Sequence, residues 1–354
     1  MESAIEIDVH THFFPAGLAD LAERTGDARW PSLAVRDGAA RIMRGTEVFR
    51  PVASTCWNVA DRVAAMDQAG VAHQVLSPVP VTLVGWAESG LAAPFLRAQN
   101  DALAEAVASA PQRFSALGAV PLQDVELAIA ELDRVMDELG FVGIEIGTTV
   151  DGVELDALAL RPFFAAAEAK GAALFIHPTD GEGAIRRRGA PYEFGLGMLT
   201  DTAMAATALV FGGVLDAHPD LRIGLAHGCG SFAWAYPRLA RGASIGAEGR
   251  VLGSTDELVR SLWVDSLVFE PTYLPVLFDR FGDDHVMVGS DFPFYPAAFG
   301  GPADIITQAM AMGCCSDHQA RAVLGGNARA FLGGVTPAGA SPVAPSETGT
   351  PTPG

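Results

Sequence analysis

Short apolar runs punctuate the chain, each bounded by glycine or proline and separated from the next by a longer stretch in which apolar positions recur with helical spacing. The runs are Ile5–Val9, Gln74–Pro78, Ser115–Pro121, Val142–Gly147, Ala173–Pro178, Ile223–His227, Leu262–Val268 and Val286–Asp291. Their nearly continuous apolarity predicts strands buried on both faces, as in a parallel sheet covered by helices. Between them, Phe95–Ser109, Val125–Leu139, Pro162–Lys170 and Asp201–Ala217 predict amphipathic helices, the last with Thr200 and Asp201 as candidate caps. Eight such β–α repeats predict an α/β fold of the (β/α)8, or TIM, barrel type. A doubly wound open sheet is the competing fold, but it calls for a glycine-rich phosphate loop after the first strand, and "DVHTHFFPAG" supplies none.

Two stretches fall outside this rhythm. Residues 13–57 are too long for an ordinary strand-to-helix connection, and "WPSLAVRDGAARIMRGTEVFRPV" within them reads as a small β excursion expected to fold over the barrel mouth. From Val335 the sequence "VTPAGASPVAPSETGTPTPG" offers almost nothing apolar to bury, which predicts a disordered tail over 335–354 and a single barrel domain over 1–334.

Charge and cysteine content narrow the function classes. A formal net charge of −19 over 354 residues argues against nucleic acid or an anionic membrane as partner, since both require clustered Lys and Arg. An anionic substrate then needs a few local arginines to capture it. Cys56, Cys229, Cys314 and Cys315 show no CxxC spacing and no paired framework, so they are expected to be reduced thiols. The N-terminus lacks a basic segment followed by an apolar one, and no run of about 18 apolar residues occurs, which makes a cytoplasmic protein the expectation.

In a barrel of this type the active site gathers at the C-terminal ends of the strands, so polar residues there carry the chemistry. His10 and His12 end the first strand and share a face, because residues i and i+2 of a strand point the same way. His177 ends the fifth strand, His227 the sixth and Asp291 the eighth. Imidazoles converging with a carboxylate match the N/O ligation of a catalytic Zn²⁺, which keeps one position open. His73, His218, His285 and His318 fall at strand starts or in connecting segments and receive no role.

The HxH of His10 and His12, the later His177 and His227, and the terminal "GSD" together resemble the metal-dependent amidohydrolase superfamily. "FRPV" at Phe49–Val52, "VPLQD" at Val120–Asp124, "HGCGSFAW" at His227–Trp234, "VDS" at Val264–Ser266 and "GNARAFL" at Gly326–Leu332 are similar to its decarboxylase branch, over about residues 5–333. The resemblance implies one Zn²⁺ per chain, with Mn²⁺ as the alternative, held by His10, His12, His177 and Asp291 with a water. It implies His227 as the acid/base beside that water, Asp291 as a participant in catalysis, and a homodimer. It also implies that Arg50 binds a substrate carboxylate, for which bidentate guanidinium capture supplies the physical reason. Trp57 is placed either to wall the substrate pocket or to pack in the core, and Asp265 and Ser266 are placed to orient a ligand imidazole. Cys229 reads as a small buried thiol near His227.

The expected function is a zinc-dependent, non-oxidative decarboxylase acting on a small unsaturated or aromatic carboxylic acid. A hydrolase of a lactone or amide using the same bound water is the alternative, and a noncatalytic metal-binding scaffold is the alternative of another class. Hydrolases with two metals often bridge them with a lysine at the end of the fourth strand, and "GIEIGTTV" contains none, which favours one metal. The chain departs from the branch in two places. The position of a second, partner-donated arginine falls near Gly246, with Arg238, Arg241 and Arg250 as substitutes, and Thr179 stands where a tryptophan is expected. Arg186, Arg187 and Arg188 read as a solvated loop, with a reach to the barrel mouth as the alternative.

Overall fold

The structure, a computed structural model, describes residues 5–36, 38–179, 181, 183, 185–246, 255–295 and 301–334. The tail over 335–354 and Arg250 lie outside the described residues. The expected strands form β1 (Ile5–Phe13), β2 (Val71–Pro78), β3 (Phe114–Gly118), β4 (Gly143–Gly147), β5 (Ala173–His177), β6 (Arg222–Leu225), β7 (Trp263–Asp265) and β8 (Val286–Met287). They pair in parallel in sequence order as one eight-stranded sheet. The last strand returns to the first through single backbone contacts: Val9 N donates to Val288 O at 3.0 Å, Asp291 N to His10 O at 2.8 Å and His12 N to Phe292 O at 2.7 Å. A (β/α)8 barrel results, closed at a seam between β1 and the segment after β8.

Alternation along the strands divides the core. On β5, Ala173 and Phe175 point into the barrel with Ile7, Val9, Val75 and Met287, while Leu174 and Ile176 point outward to the helices with Leu76, Ile144, Ile223 and Val264. Adjacent strands approach so closely at one point that a Cβ on Gly143 would lie 1.9 Å from Ala173 O, so β4 begins with the one residue that fits. The helix Asn327–Phe331 brings Ala328 and Phe331 into the interior cluster.

Several boundaries differ from the sequence reading. β6 stops at Leu225 and β7 at Asp265, because the Asp265 carboxylate accepts the amides of His227, Gly228 and Leu267 and replaces strand partners with a turn. β8 spans two residues, its continuation meeting β1 only at the seam contacts. The expected helix Asp201–Ala217 is Met198–Phe211 followed by Val214–Ala217. Thr200 and Asp201 are not its caps: Thr200 Oγ1 donates to Leu196 O, and Asp201 accepts from Thr148 Oγ1 at 2.6 Å. Among the described residues, Tyr192–Phe211 is the one stretch long and apolar enough to cross a membrane by length and composition, and its Ala205, Ala206 and Leu209 are buried in the barrel's outer core.

The excursion is a three-stranded antiparallel sheet of Pro31–Arg36, Ala39–Arg44 and Glu47–Val52. It packs through Ile42 onto Phe14, Cys56, Val79 and Val81, at the C-terminal ends of β1 and β2.

Candidate metal centre and active site

A register shift in β1 sets up the site. Ile7 and Val9 face the barrel interior, so unbroken alternation would turn His10 and His12 outward. Between Asp8 and Thr11, however, β1 gains one residue against β2, a bulge that exchanges the two faces from there on. Phe13 therefore joins the outer core, and His10 and His12 point inward with their Nε2 atoms 3.2 Å apart. The side-chain pair read from HxH is brought together as expected, with an irregularity that the HxH alone does not signal.

His10, His12, His177 and Asp291 are all buried, and each offers one ligand atom lying within 4.8 Å of the others. Asp291 Oδ1 is 3.0 Å from His12 Nε2 and 3.6 Å from His10 Nε2. Behind each imidazole stands an acceptor for Nδ1: the Asp265 carboxylate for His10 at 2.6 Å, Pro78 O for His12 at 2.9 Å and Pro178 O for His177 at 2.7 Å. Those oxygens can only accept, so each Nδ1 carries the proton and each Nε2 presents a lone pair. His177 Nε2 has no hydrogen-bond partner among the described residues despite full burial. Three neutral imidazole donors, one carboxylate and an orphaned buried nitrogen fit a divalent cation.

Without a cation the balance differs at His10, which takes up a second proton. Burial alone would depress His10, but the hydrogen bond and charge of Asp265, with Asp291 and Glu145, raise it to about 9. Burial and the neighbouring imidazoles push His177 well below its ordinary value. Asp291 falls to about 2, where burial opposes ionisation but the His12 hydrogen bond and the charges of His10, His12 and His227 win. A cation entering this group meets an ionised carboxylate and competes with a proton on His10.

His227 sits beside the ligand set and outside it. It lies past the end of β6 in a single turn, with φ of +58°, and Asp291 carries φ of +54°. Left-handed backbone at two non-glycine residues costs of order 1–3 kcal/mol each and is held by the surrounding structure. For His227 that support is the Asp265 carboxylate, which accepts its amide at 2.9 Å and that of Gly228 at 2.8 Å. The His227 ring lies 4.9 Å from that of His177, and its Nε2 is 4.0 Å from Asp291 Oδ2. Neither ring nitrogen has a hydrogen-bond partner among the described residues, and burial, followed by the charge of His10, lowers its pKa to about 4.

Arg50, on the third excursion strand, lines a small cavity of about 30 Å³ together with His177, Asp291, Thr179, Phe194 and Phe294. Its guanidinium lies 4.6 Å from the Phe294 ring, which in turn stacks 5.4 Å from His12. Trp57 is half-buried against the cluster of Phe14, Ile42, Cys56, Val79 and Val81, two of which also line that cavity. Asp265 is buried against His10, whereas Ser266 Oγ finds no partner among the described residues. Cys229 is a buried thiol that burial pushes well up. Arg186, Arg187, Arg188, Arg238 and Arg241 are exposed. His73, His218 and His285 are held by Ser115, Glu168 and Asp284, away from the cluster.

Composition and motif spacing did not single out the aromatic walls. Phe194, Phe269, Tyr273 and Tyr295 surround a cavity of about 180 Å³ that reaches His227. Tyr295 meets Phe269 edge-on at 5.0 Å and Phe194 at 5.8 Å. Tyr295 follows directly on the "GSDFPF" run that holds Asp291, so proximity in sequence was the available signal for that residue.

Comparison with known proteins places these features in a family. The chain is 35% identical over 334 residues to 2-amino-3-carboxymuconate-6-semialdehyde decarboxylase of Dictyostelium discoideum, covering 93% of this chain and 92% of that one. Among solved structures it superposes on 5-carboxyvanillate decarboxylase from Sphingomonas paucimobilis with a TM-score of 0.79 and 24% identity, over 93% of this chain and 99% of that one. A dihydroxybenzoic acid decarboxylase from a Polaromonas species, solved with manganese and 2-nitroresorcinol, gives 0.71 and 23% over 92% and 96%. At those identities the two structures speak for the fold alone. The Amidohydrolase family profile, Amidohydro_2, matches residues 7–334, and the chain belongs to that family.

Proposed function

We propose that the protein is a metal-dependent, non-oxidative decarboxylase of a small unsaturated or aromatic carboxylic acid, with Zn²⁺ as its ion and Mn²⁺ as the alternative. The observation that carries the reading is the position of His227: a buried imidazole with both nitrogens uncommitted among the described residues, facing an aromatic-walled cavity beside the four-residue ligand set. The similarity to named decarboxylases supports the reaction class, and the manganese in the Polaromonas enzyme supports a divalent ion.

His10, His12, His177 and Asp291 would hold the ion, which when bound lowers the pKa of a bound water and polarises a substrate oxygen. Arg50 anchors a carboxylate at the rim of the cavity, where its charge is half-buried and therefore less screened than at the surface. The aromatic walls hold the flat, conjugated part of the substrate and exclude water. As the bond to the carboxylate carbon breaks, CO₂ leaves and the electron pair enters the conjugated system. A proton must then reach the vacated carbon. His227, neutral at pH 7, takes up a solvent proton that arrives through the cavity it lines and delivers it there. Phe269, with φ of +57° and a half-exposed ring, stands at the cavity mouth against Tyr295.

The reading extends to a cytoplasmic homodimer. Trp234, 86% exposed on the helix Phe232–Gly246 that follows His227, supports pairing through that face, and sedimentation of the wild type against Trp234→Glu tests it.

Metal analysis by mass spectrometry, combined with CO₂ release from a panel of hydroxylated and amino benzoates and muconate semialdehydes, tests the function. We expect about one divalent ion per chain and CO₂ release that His227→Ala abolishes. Ring opening of lactones without CO₂ would replace the reaction with hydrolysis, and turnover unaffected by His227→Ala would remove the role given to that residue.

A further inference from the structure

Arg62 lies outside every pocket wall described above, yet its side chain is fully buried. We propose that it is a positioning residue for the metal ligand set, acting by tying the barrel seam; the inference rests on the metal reading above.

The guanidinium makes contacts on three sides. Nη1 donates to His12 O at 2.7 Å and to Thr55 O at 3.3 Å, Nη2 to Phe292 O at 3.4 Å, and Nε to Gln74 Oε1 at 2.9 Å. The Phe292 ring lies 4.9 Å from the same group. Gln74 passes the connection on, its Nε2 lying 3.5 Å from Asp8 Oδ2, and Asp8 accepts from Ser290 Oγ at 2.5 Å and from Ser290 N at 3.2 Å. A single buried polar chain thus runs from the helix Val59–Ala69 through β2 and β1 to the "GSD" segment.

The location gives this chain its meaning. β8 spans two residues, and beyond it the barrel closes on β1 by isolated backbone contacts. His10, His12 and Asp291, three of the four ligands, stand on the two sides of that seam. Arg62 grips one carbonyl from each side: that of His12 itself, and that of Phe292, the residue after Asp291. A planar guanidinium with rigidly spaced donors spans two carbonyls in a way that a hydrophobe or an ammonium does not. Burial is the larger influence on its pKa and lowers it to about 10, with Cys56 and Asp8 opposing, so the group remains a cation in the dry interior. Without the guanidinium, His12 O, Phe292 O and Gln74 Oε1 would each lose a donor at the seam.

The test measures Zn²⁺ and Mn²⁺ affinity by competition with a chromophoric chelator in wild type, Arg62→Met and Arg62→Lys, at a temperature where circular dichroism shows the metal-free proteins folded. Backbone amide exchange at His12 and Asp291 is followed in parallel. We expect about a 10- to 100-fold loss of affinity in Arg62→Met, the range typical for residues that orient ligands. Arg62→Lys, which restores charge without reaching both carbonyls, is expected to bind less tightly than wild type and to exchange faster at both amides. If Arg62→Met does not fold, the lysine variant decides. Wild-type affinity and exchange in Arg62→Lys overturn the inference; a wild type that takes up neither ion overturns the metal reading, and this inference with it.

Discussion

Asp265 Oδ2 lies 2.6 Å from His10 Nδ1 and at the same time accepts the backbone amide of His227 at 2.9 Å, so one buried carboxylate orients a metal ligand and the proposed acid/base. Its pKa stays low although burial opposes ionisation, because the His10 hydrogen bond and charge outweigh it. Asp265→Asn keeps the shape but replaces the carboxylate with a neutral group. We expect metal affinity to drop by about 10- to 100-fold, with a further loss of turnover at saturating metal from the displaced His227. Chelator competition and steady-state rates at excess metal separate the two effects.

Gly289 leaves no room for a side chain: a Cβ there would lie 2.6 Å from Asp265 Cβ and 2.9 Å from His10 Cβ. Gly289→Ala is therefore expected to destabilise by about 1–3 kcal/mol and to displace the His10–Asp265 pair. Denaturant titration of the metal-free variant gives the first number, and metal stoichiometry reveals the second effect.

Arg50→Lys keeps the charge at the pocket rim but loses the paired donors. If Arg50 anchors a carboxylate in the ground state and the transition state alike, KM rises about tenfold or more with little change in kcat. Initial-rate kinetics on an accepted substrate check this, and an unchanged KM moves the anchor elsewhere.

Stability of the metal-free protein should depend on pH on both sides of neutrality. Burial lowers the pKa of His73, far from the metal cluster, and of His12, His177 and His227 within it. For such groups the unfolded chain binds protons first as pH falls, so their stabilisation is present above the ordinary value near 6.5 and is lost as pH falls through the folded values. His10 has the opposite sign: raised to about 9, it stabilises below 6.5 and ceases to do so as pH rises through 9. Melting temperatures of the metal-free protein are expected to decline as pH falls from about 6.5 toward 5, and on the other side as pH rises from about 7 to 9, levelling off above that. His73→Gln is expected to reduce only the acid-side decline.

Much of the barrel was legible because its signals are local and repeated. Buried parallel strands read as apolar runs, and His10, His12, His177, His227 and Asp291 stand at or just past the strand ends. What escaped depends on contacts between distant segments. The bulge that turns His10 inward is a register relation between β1 and β2, and the short β6 and β7 follow from the amides that Asp265 collects. Thr200 and Asp201 have the composition of caps, but the helix had already begun at Met198, with the preceding turn feeding into it. Arg62 carries no motif of its own, and its place in the seam depends on contacts between β1 and the segment after β8.

Arg50 stands on a small sheet with its own apolar underside, Ile42 against Phe14 and Val79, whereas His10, His12, His177 and Asp291 belong to the barrel and its seam. The two parts are built from different stretches of chain and meet through a few residues, Phe294 chief among them. Insertions, deletions or exchanges within the sheet can accordingly move the cationic rim without disturbing the ligand cluster. A lineage starting from this architecture has a ready route to new acids: redraw the sheet, and leave the histidines alone.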